Sequence, residues 1–291
     1  MSLILNKDTL QIQINEPGEV YTGSRFDWLG QITSIKLGGK EFCGVETLNG
    51  DESTMGQGLY NEFGIEKVMG YDSIHLGESF TKIGVGQLKK NSFNKYMFYK
   101  EYINNPIKYE ITRDIDRVKF TTNDTRNQKY AYKYIKEIIL NSRGFDILYS
   151  LENWGSEYID TNEYAHNFLN LDCNNIDSKY FLCLSENIDC KREYINPEKK
   201  VNFEKNCVTF NSEIKDVFFF SGLIPEDLTK ASWILKHEKS GLSIKEEVNA
   251  NIENLNIWGT AHVISPEIFV KINIKPGEKY EWSRSYKLNI C

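Results

Sequence analysis

Tyr130-Ala-Tyr-Lys-Tyr-Ile135, running on through Glu137-Ile-Ile-Leu140, then Ser142-Arg143-Gly144 and Phe145-Asp-Ile-Leu-Tyr149, decides the fold class. Aromatic and β-branched residues recur at every second position on both sides of a short turn containing glycine. That period is a strand's, and the pair reads as a β-hairpin. The same pattern lies upstream, where Leu10-Gln-Ile-Gln-Ile14 alternates strictly. Downstream, Ser232-Trp-Ile-Leu-Lys236 and Leu242-Ser-Ile-Lys-Glu246 flank the turn Lys239-Ser-Gly241. Ile268–Ile274 leads into Lys275-Pro-Gly-Glu278, and Tyr280–Leu288 reads as a last strand. No long segment carries a helical period; Pro225–Lys230 is expected to make one helical turn. Strand after strand without crossover helices predicts an all-β, large antiparallel β-sandwich.

The chain has 291 residues and 40% hydrophobic content, enough to bury one large all-β core, and no Pro/Gly/Ser linker divides it. A single domain over residues 1–291 is therefore expected. The net charge is −6, with Lys and Arg interleaved among Asp and Glu, which excludes binding nucleic acid through a basic face. No apolar run is long enough to span a membrane, and the N-terminus lacks the pattern of a signal peptide, so a cytoplasmic location is expected. The six cysteines, Cys43, Cys173, Cys183, Cys190, Cys207 and Cys291, form no C-x-x-C pair and have no histidines at zinc spacing. Reduced thiols and no metal are the expectation.

Candidate chemistry falls in four segments. In Thr161–Asp172, TNEYAHNFLNLD, a strand would place Asn162, Tyr164, His166, Phe168 and Asn170 on one polar and aromatic face. Histidine gives and takes a proton near neutral pH, yet alone this segment best fits an ordinary histidine hydrogen-bonded at a sheet edge. In Trp258–Phe269, alternation sets Glu267 beside Val263, Ser265 and Phe269. A carboxylate on so apolar a face is costly unless it is paired or lines a cavity, and burial would raise its pKa toward that of a general base. His262 points away from Glu267 and reads as structural.

The third segment, Tyr21–Trp28, interleaves Arg25 and Asp27 with aromatics, which suits either a polyol grip or an Arg–Asp pair fixing a loop. The fourth is a glycine-rich stretch, Met55–Leu88, in which Glu62, Asp72, His75, Glu78 and Lys82 are candidates for lining a polar cleft. Its glycines match no nucleotide-binding loop, and no G-x-S-x-G is present.

These segments, in this order, resemble the galactose mutarotase-like superfamily, which includes the aldose 1-epimerases. His166-Asn-Phe-Leu-Asn-Leu171 is similar to the epimerase phrase Asn-His-x-Tyr-Phe-Asn-Leu: it keeps the histidine, an aromatic two residues on, and the Asn-Leu. It departs in having Ala165 before the histidine and Phe168 in place of tyrosine. Pro266-Glu267, the Lys275–Glu278 turn and the last aromatic strand match the position of the family's catalytic glutamate. The block Tyr21–Lys90 looks more like a bacterial branch apart from the galactose enzymes. The resemblance implies a mutarotase without cofactor, acting on a small sugar or sugar phosphate. In it His166 protonates the ring oxygen while Glu267 takes the anomeric proton. Arg25, Glu62, Asp72, His75 and Lys82 would hold hydroxyls, and Trp28, Tyr60, Tyr71 and Trp258 would stack on the ring. A non-catalytic sugar-binding protein is the alternative, and a polysaccharide lyase or glycosidase a weaker third.

Overall fold

The computed structural model describes residues 2–188 and 194–290. The hairpin forms as read: Tyr132–Asn141 runs antiparallel to Gly144–Asn153, with Asn141 opposite Gly144. Alternation does what the period demands, burying Tyr132, Tyr134, Ile138 and Leu140 and leaving their neighbours nearer solvent. Lys136 is the exception, a charge carried inward with the apolar set.

Two antiparallel sheets result. One runs from Tyr109–Arg113 through Arg117–Asp124, Tyr132–Asn141, Gly144–Asn153 and Lys279–Ile290 to the first half of Leu242–Thr260, then Leu228–His237 and Tyr180–Leu184. The other runs from Ser2–Lys7 through Leu10–Asn15, Gln31–Leu37, Leu59–Phe63, Ile159–Asn167 and Val263–Ile274 to the second half of Leu242–Thr260. The strand Leu242–Thr260 thus belongs to both. Its register with Val263–Ile274 shifts between Ile252 and Asn254, where an extra residue bends it from one sheet into the other. The inner faces meet in one apolar core, where Phe63 packs edge-on to Tyr134 and Trp282 of the opposite sheet. A separate three-stranded sheet, Ser79–Lys82, Gly86–Lys89 and Asn104–Pro106, stands over one face. Among the described residues no helix is long and apolar enough to cross a membrane.

Lys279–Ile290, which follows the Pro276-Gly277 turn, inserts between Gly144–Asn153 and Leu242–Thr260. Two expectations need correction. Pro225–Lys230 makes no helical turn; it bends and enters the strand Leu228–His237, because pairing with Leu242–Thr260 recruits its second half. The thiols are not all reduced: Cys183 and Cys207 stand directly opposite on paired strands and are joined in a disulfide. Only strand register brings these two together. Cys43 and Cys173 are free, and Cys190 and Cys291 lie outside the described residues.

Charge runs through the core between the sheets. Arg284, fully buried, bridges Glu163 at 2.7 Å and Glu246 at 2.9 Å. Trp282 Nε1 donates to Glu163, and Trp233 Nε1 and the Tyr286 hydroxyl both donate to Glu246. The chain of contacts continues through Asn61, which donates to Glu163, to Lys136, whose Nζ donates to Asn61 Oδ1 at 2.6 Å and lies 3.5 Å from Asp27. Each charge here has an opposite charge or several donors, which is the condition for tolerating burial.

Candidate active site

Two adjacent strands set the site. In Leu59–Phe63 and Ile159–Asn167, Glu62 stands opposite Tyr164 and Tyr60 opposite His166. Asn61, Glu163 and Asn167, the intervening residues, turn to the core and join the buried network. Period two therefore delivers the expected polar and aromatic face, with Tyr164, His166 and Phe168 in line.

On its other side, Ile159–Asn167 pairs with Val263–Ile274 as far as Tyr164 opposite Phe269. Extended by two residues, that register brings His166 to Glu267. The ladder lapses there because Pro266 has no N–H to give. The Asn167 side chain fills the gap, donating to the Pro266 carbonyl at 2.6 Å. His166 Nε2 lies 3.3 Å from Glu267 Oε1. The two groups meet at contact distance, without an open cleft between them.

Their surroundings are dry and aromatic. The His166 ring stacks on Phe168 at 3.9 Å between centroids and meets the edges of Trp258 and Phe26. His166 and Glu267 are each 4% exposed, and His166 Nδ1 is buried without a hydrogen-bond partner. Burial pushes the Glu267 carboxyl up to about 8, against the pull of Arg25 and the hydrogen bond from the Ser265 hydroxyl. Burial also holds the imidazole well below its ordinary value, and the Arg25 charge adds to this. Near neutrality the pair thus carries one proton, resting on the carboxyl.

Beside the pair lies a second knot of charge centred on Glu62. Arg25 Nε donates to it at 2.8 Å, the Tyr164 hydroxyl at 2.6 Å and Lys82 Nζ at 3.3 Å. Arg25 also pairs with Glu46 at 3.3 Å and donates to the Tyr164 oxygen at 3.0 Å. Burial lowers the pKa of Lys82, and Glu62 opposes the shift. Aromatic rings cap both cations: Phe98 lies 4.5 Å from the Arg25 guanidinium, and Tyr96 lies 5.0 Å from Lys82 Nζ.

The structure therefore brings together His166, Glu267, Arg25, Glu62, Lys82 and Trp258. It leaves out Asp72 and His75. Asp72 is exposed in a short 3₁₀ turn, Tyr71–Ser73, and His75 is exposed in the following turn, where its backbone N–H binds Glu78. Both lie in loops whose paths no alternation predicts. Trp28, Tyr60 and Tyr71 are buried and hydrogen-bonded to Gly23, Asn15 and Asn94, so they pack the structure and offer no free ring face. Arg25 and Asp27 do not pair with each other: Arg25 faces the site and Asp27 the core. His262 is structural as read, contacting Thr260 and the Val45 carbonyl. Glu46, Tyr96 and Phe98 join the site from loops, where sequence carries no periodic signal to mark them. Among the described residues, no group of three or more His, Cys, Asp or Glu side chains is placed to hold a metal ion.

No protein-family model matches the chain, and no curated protein does. Solved structures do. A galactose mutarotase related enzyme from Lactobacillus acidophilus superposes with a TM-score of 0.62 at 13% identity, covering 99% of this chain and 97% of its own. A galactose mutarotase-like protein from Clostridium acetobutylicum gives 0.62 at 14%, covering 100% and 95%. An aldose epimerase homologue from C. elegans gives 0.55 at 11%, covering 100% and 99%. Over essentially its whole length, the chain has the galactose mutarotase-like fold.

Proposed function

We propose that the chain is a cofactor-independent aldose 1-epimerase, a single domain spanning residues 1–291, with His166 and Glu267 as its acid–base pair. The observation that carries this reading is the 3.3 Å contact between His166 Nε2 and Glu267 Oε1, in surroundings whose burial lowers the imidazole pKa and raises the carboxyl to about 8. The ring oxygen and the anomeric hydroxyl of a cyclic sugar are bonded to the same carbon. A donor and an acceptor held at contact distance can therefore serve both. One group protonates the ring oxygen as the other takes the anomeric proton; the ring opens, the C1–C2 bond rotates, and reclosure reverses both transfers. Because closure runs opening backwards, each group must both give and take a proton. A pair sharing one proton meets that requirement in either sense, whichever partner holds it at rest.

Arg25 and Lys82, held by Glu62, place fixed charge beside the pair, and Trp258, partly exposed, supplies a ring next to His166. Two cations and two carboxylates nearly cancel there, so a neutral sugar is favoured over a sugar phosphate. Polarimetry on freshly dissolved aldoses tests the reading. Faster mutarotation than in buffer with at least one aldose is expected. Saturable sugar binding without any acceleration would assign the fold to sugar sensing instead.

A further inference from the structure

The face of Ile159–Asn167 that carries His166 continues backwards through Tyr164, Asn162 and Asp160, every second residue along the strand, and Tyr158 lies just before it. At its far end this face opens into a cleft of about 820 Å³, within the roughly 300–1,000 Å³ typical of ligand sites. Of this face, Tyr158 and Asp160 line the cleft, whereas Asn162, Tyr164 and His166 are buried beyond it.

The lining suits a glycan. Tyr99, Tyr130 and Tyr158 bring rings to the cleft, and Tyr99 and Tyr158 are 71% and 49% exposed. A tyrosine offers an apolar face with a polar tip, which suits a sugar ring edged with hydroxyls. Gly70 keeps the Tyr130 ring in place: its φ is +77°, and a Cβ there would fall 2.8 Å from the ring. Asp72, Asp160 and Lys95 provide hydrogen-bonding groups, and the lining mixes both signs of charge, which disfavours a polyanion. Two further lining residues, Tyr96 and Phe98, are the rings that cap Lys82 and Arg25. One wall of the cleft is thus the outer surface of the binding network beside the acid–base pair.

We propose that this cleft, walled by the rings that cap Arg25 and Lys82, binds a neutral oligosaccharide; binding there does not rest on the epimerase reading. Asp72, absent from the catalytic centre, gains a role here.

The test is calorimetric titration with malto-, cello-, galacto- and xylo-oligosaccharides of one to four units, alongside NMR measurement of anomer exchange on each. In at least one series, affinity should rise about tenfold from one unit to three, the scale of one or two ring contacts. Tyr99→Ala and Tyr158→Ala should each shrink that trimer-to-monomer ratio severalfold; a ratio taken within one variant is insensitive to general loss of protein. Equal affinity at every length, no binding in any series, or a ratio unchanged in both variants would overturn the proposal. Length-dependent binding without anomer exchange would uphold the cleft and remove the epimerase reading. Exchange on monosaccharides without length dependence would do the reverse.

Discussion

The inner face of strands Leu59–Phe63 and Ile159–Asn167 carries Asn61, Glu163 and Asn167 into the core, and the outer face carries Glu62, Tyr164 and His166 to the site. Both faces bury ionisable groups to near completion. Inside, Arg284 is held between two carboxylates, and tryptophan and tyrosine donors take up their remaining lone pairs. Outside, His166 keeps a ring nitrogen without a partner, and Glu267 is driven toward its protonated form. Burial alone therefore does not mark function. What separates the two faces is charge compensation: in the core Arg284 is paired with two carboxylates, whereas at the site burial favours the uncharged forms of both His166 and Glu267.

The contrast breaks most readily by exchanging effects between the faces. His166→Gln and Glu267→Gln should each slow anomer exchange by about 10²–10⁴-fold, the usual contribution of one positioned acid or base, with little change in melting temperature. Arg284→Met should do the opposite. It leaves two carboxylates uncompensated and should cost about 3–5 kcal/mol of stability by denaturant titration. Large stability losses from the site variants, with normal folding of Arg284→Met, would invert the account.

Proton linkage sharpens the comparison. The folded Glu267 carboxyl titrates near 8, whereas in the unfolded chain it titrates near its ordinary value of about 4.3. Between those pH values the folded state holds the extra proton, so this group removes stability as pH rises and removes no more above about 8. Thermal melts of Glu267→Gln should therefore gain on the unsubstituted protein from pH 5 upward and level off above about 8. A constant offset across that range would show that the carboxyl is not raised. The smallest effect belongs to His75→Ala. As an exposed loop residue away from the site, it should change stability by less than about 0.5 kcal/mol and leave exchange rates within error.

Local alternation made much of this molecule legible in sequence. Period two placed Tyr164, His166 and Phe168 on one face and set Glu267 beside Ser265, as the hydrogen bond between those two side chains bears out. Hairpins with short glycine turns were equally plain. Long-range matters were not. Nothing local shows that Leu242–Thr260 serves both sheets, that Cys183 faces Cys207, or that Lys136 and Arg284 are buried charges. Sequence alone offers Arg25, Glu62 and Lys82 as separate grips for hydroxyls, but in the structure they grip one another. Loops supplied both the misplacements, Asp72 and His75, and the omissions, Glu46, Tyr96 and Phe98, because a loop's path is set by what it packs against.

The central claim is that one proton shared by His166 and Glu267 drives anomer exchange. NMR saturation transfer between α and β anomers, followed from pH 5 to 9, tests it most directly. The account predicts acceleration through neutrality that falls as pH passes about 8, where the pair loses its proton, and that disappears in the His166→Gln, Glu267→Gln double variant. No acceleration with any aldose, or acceleration that survives in the double variant, would contradict it.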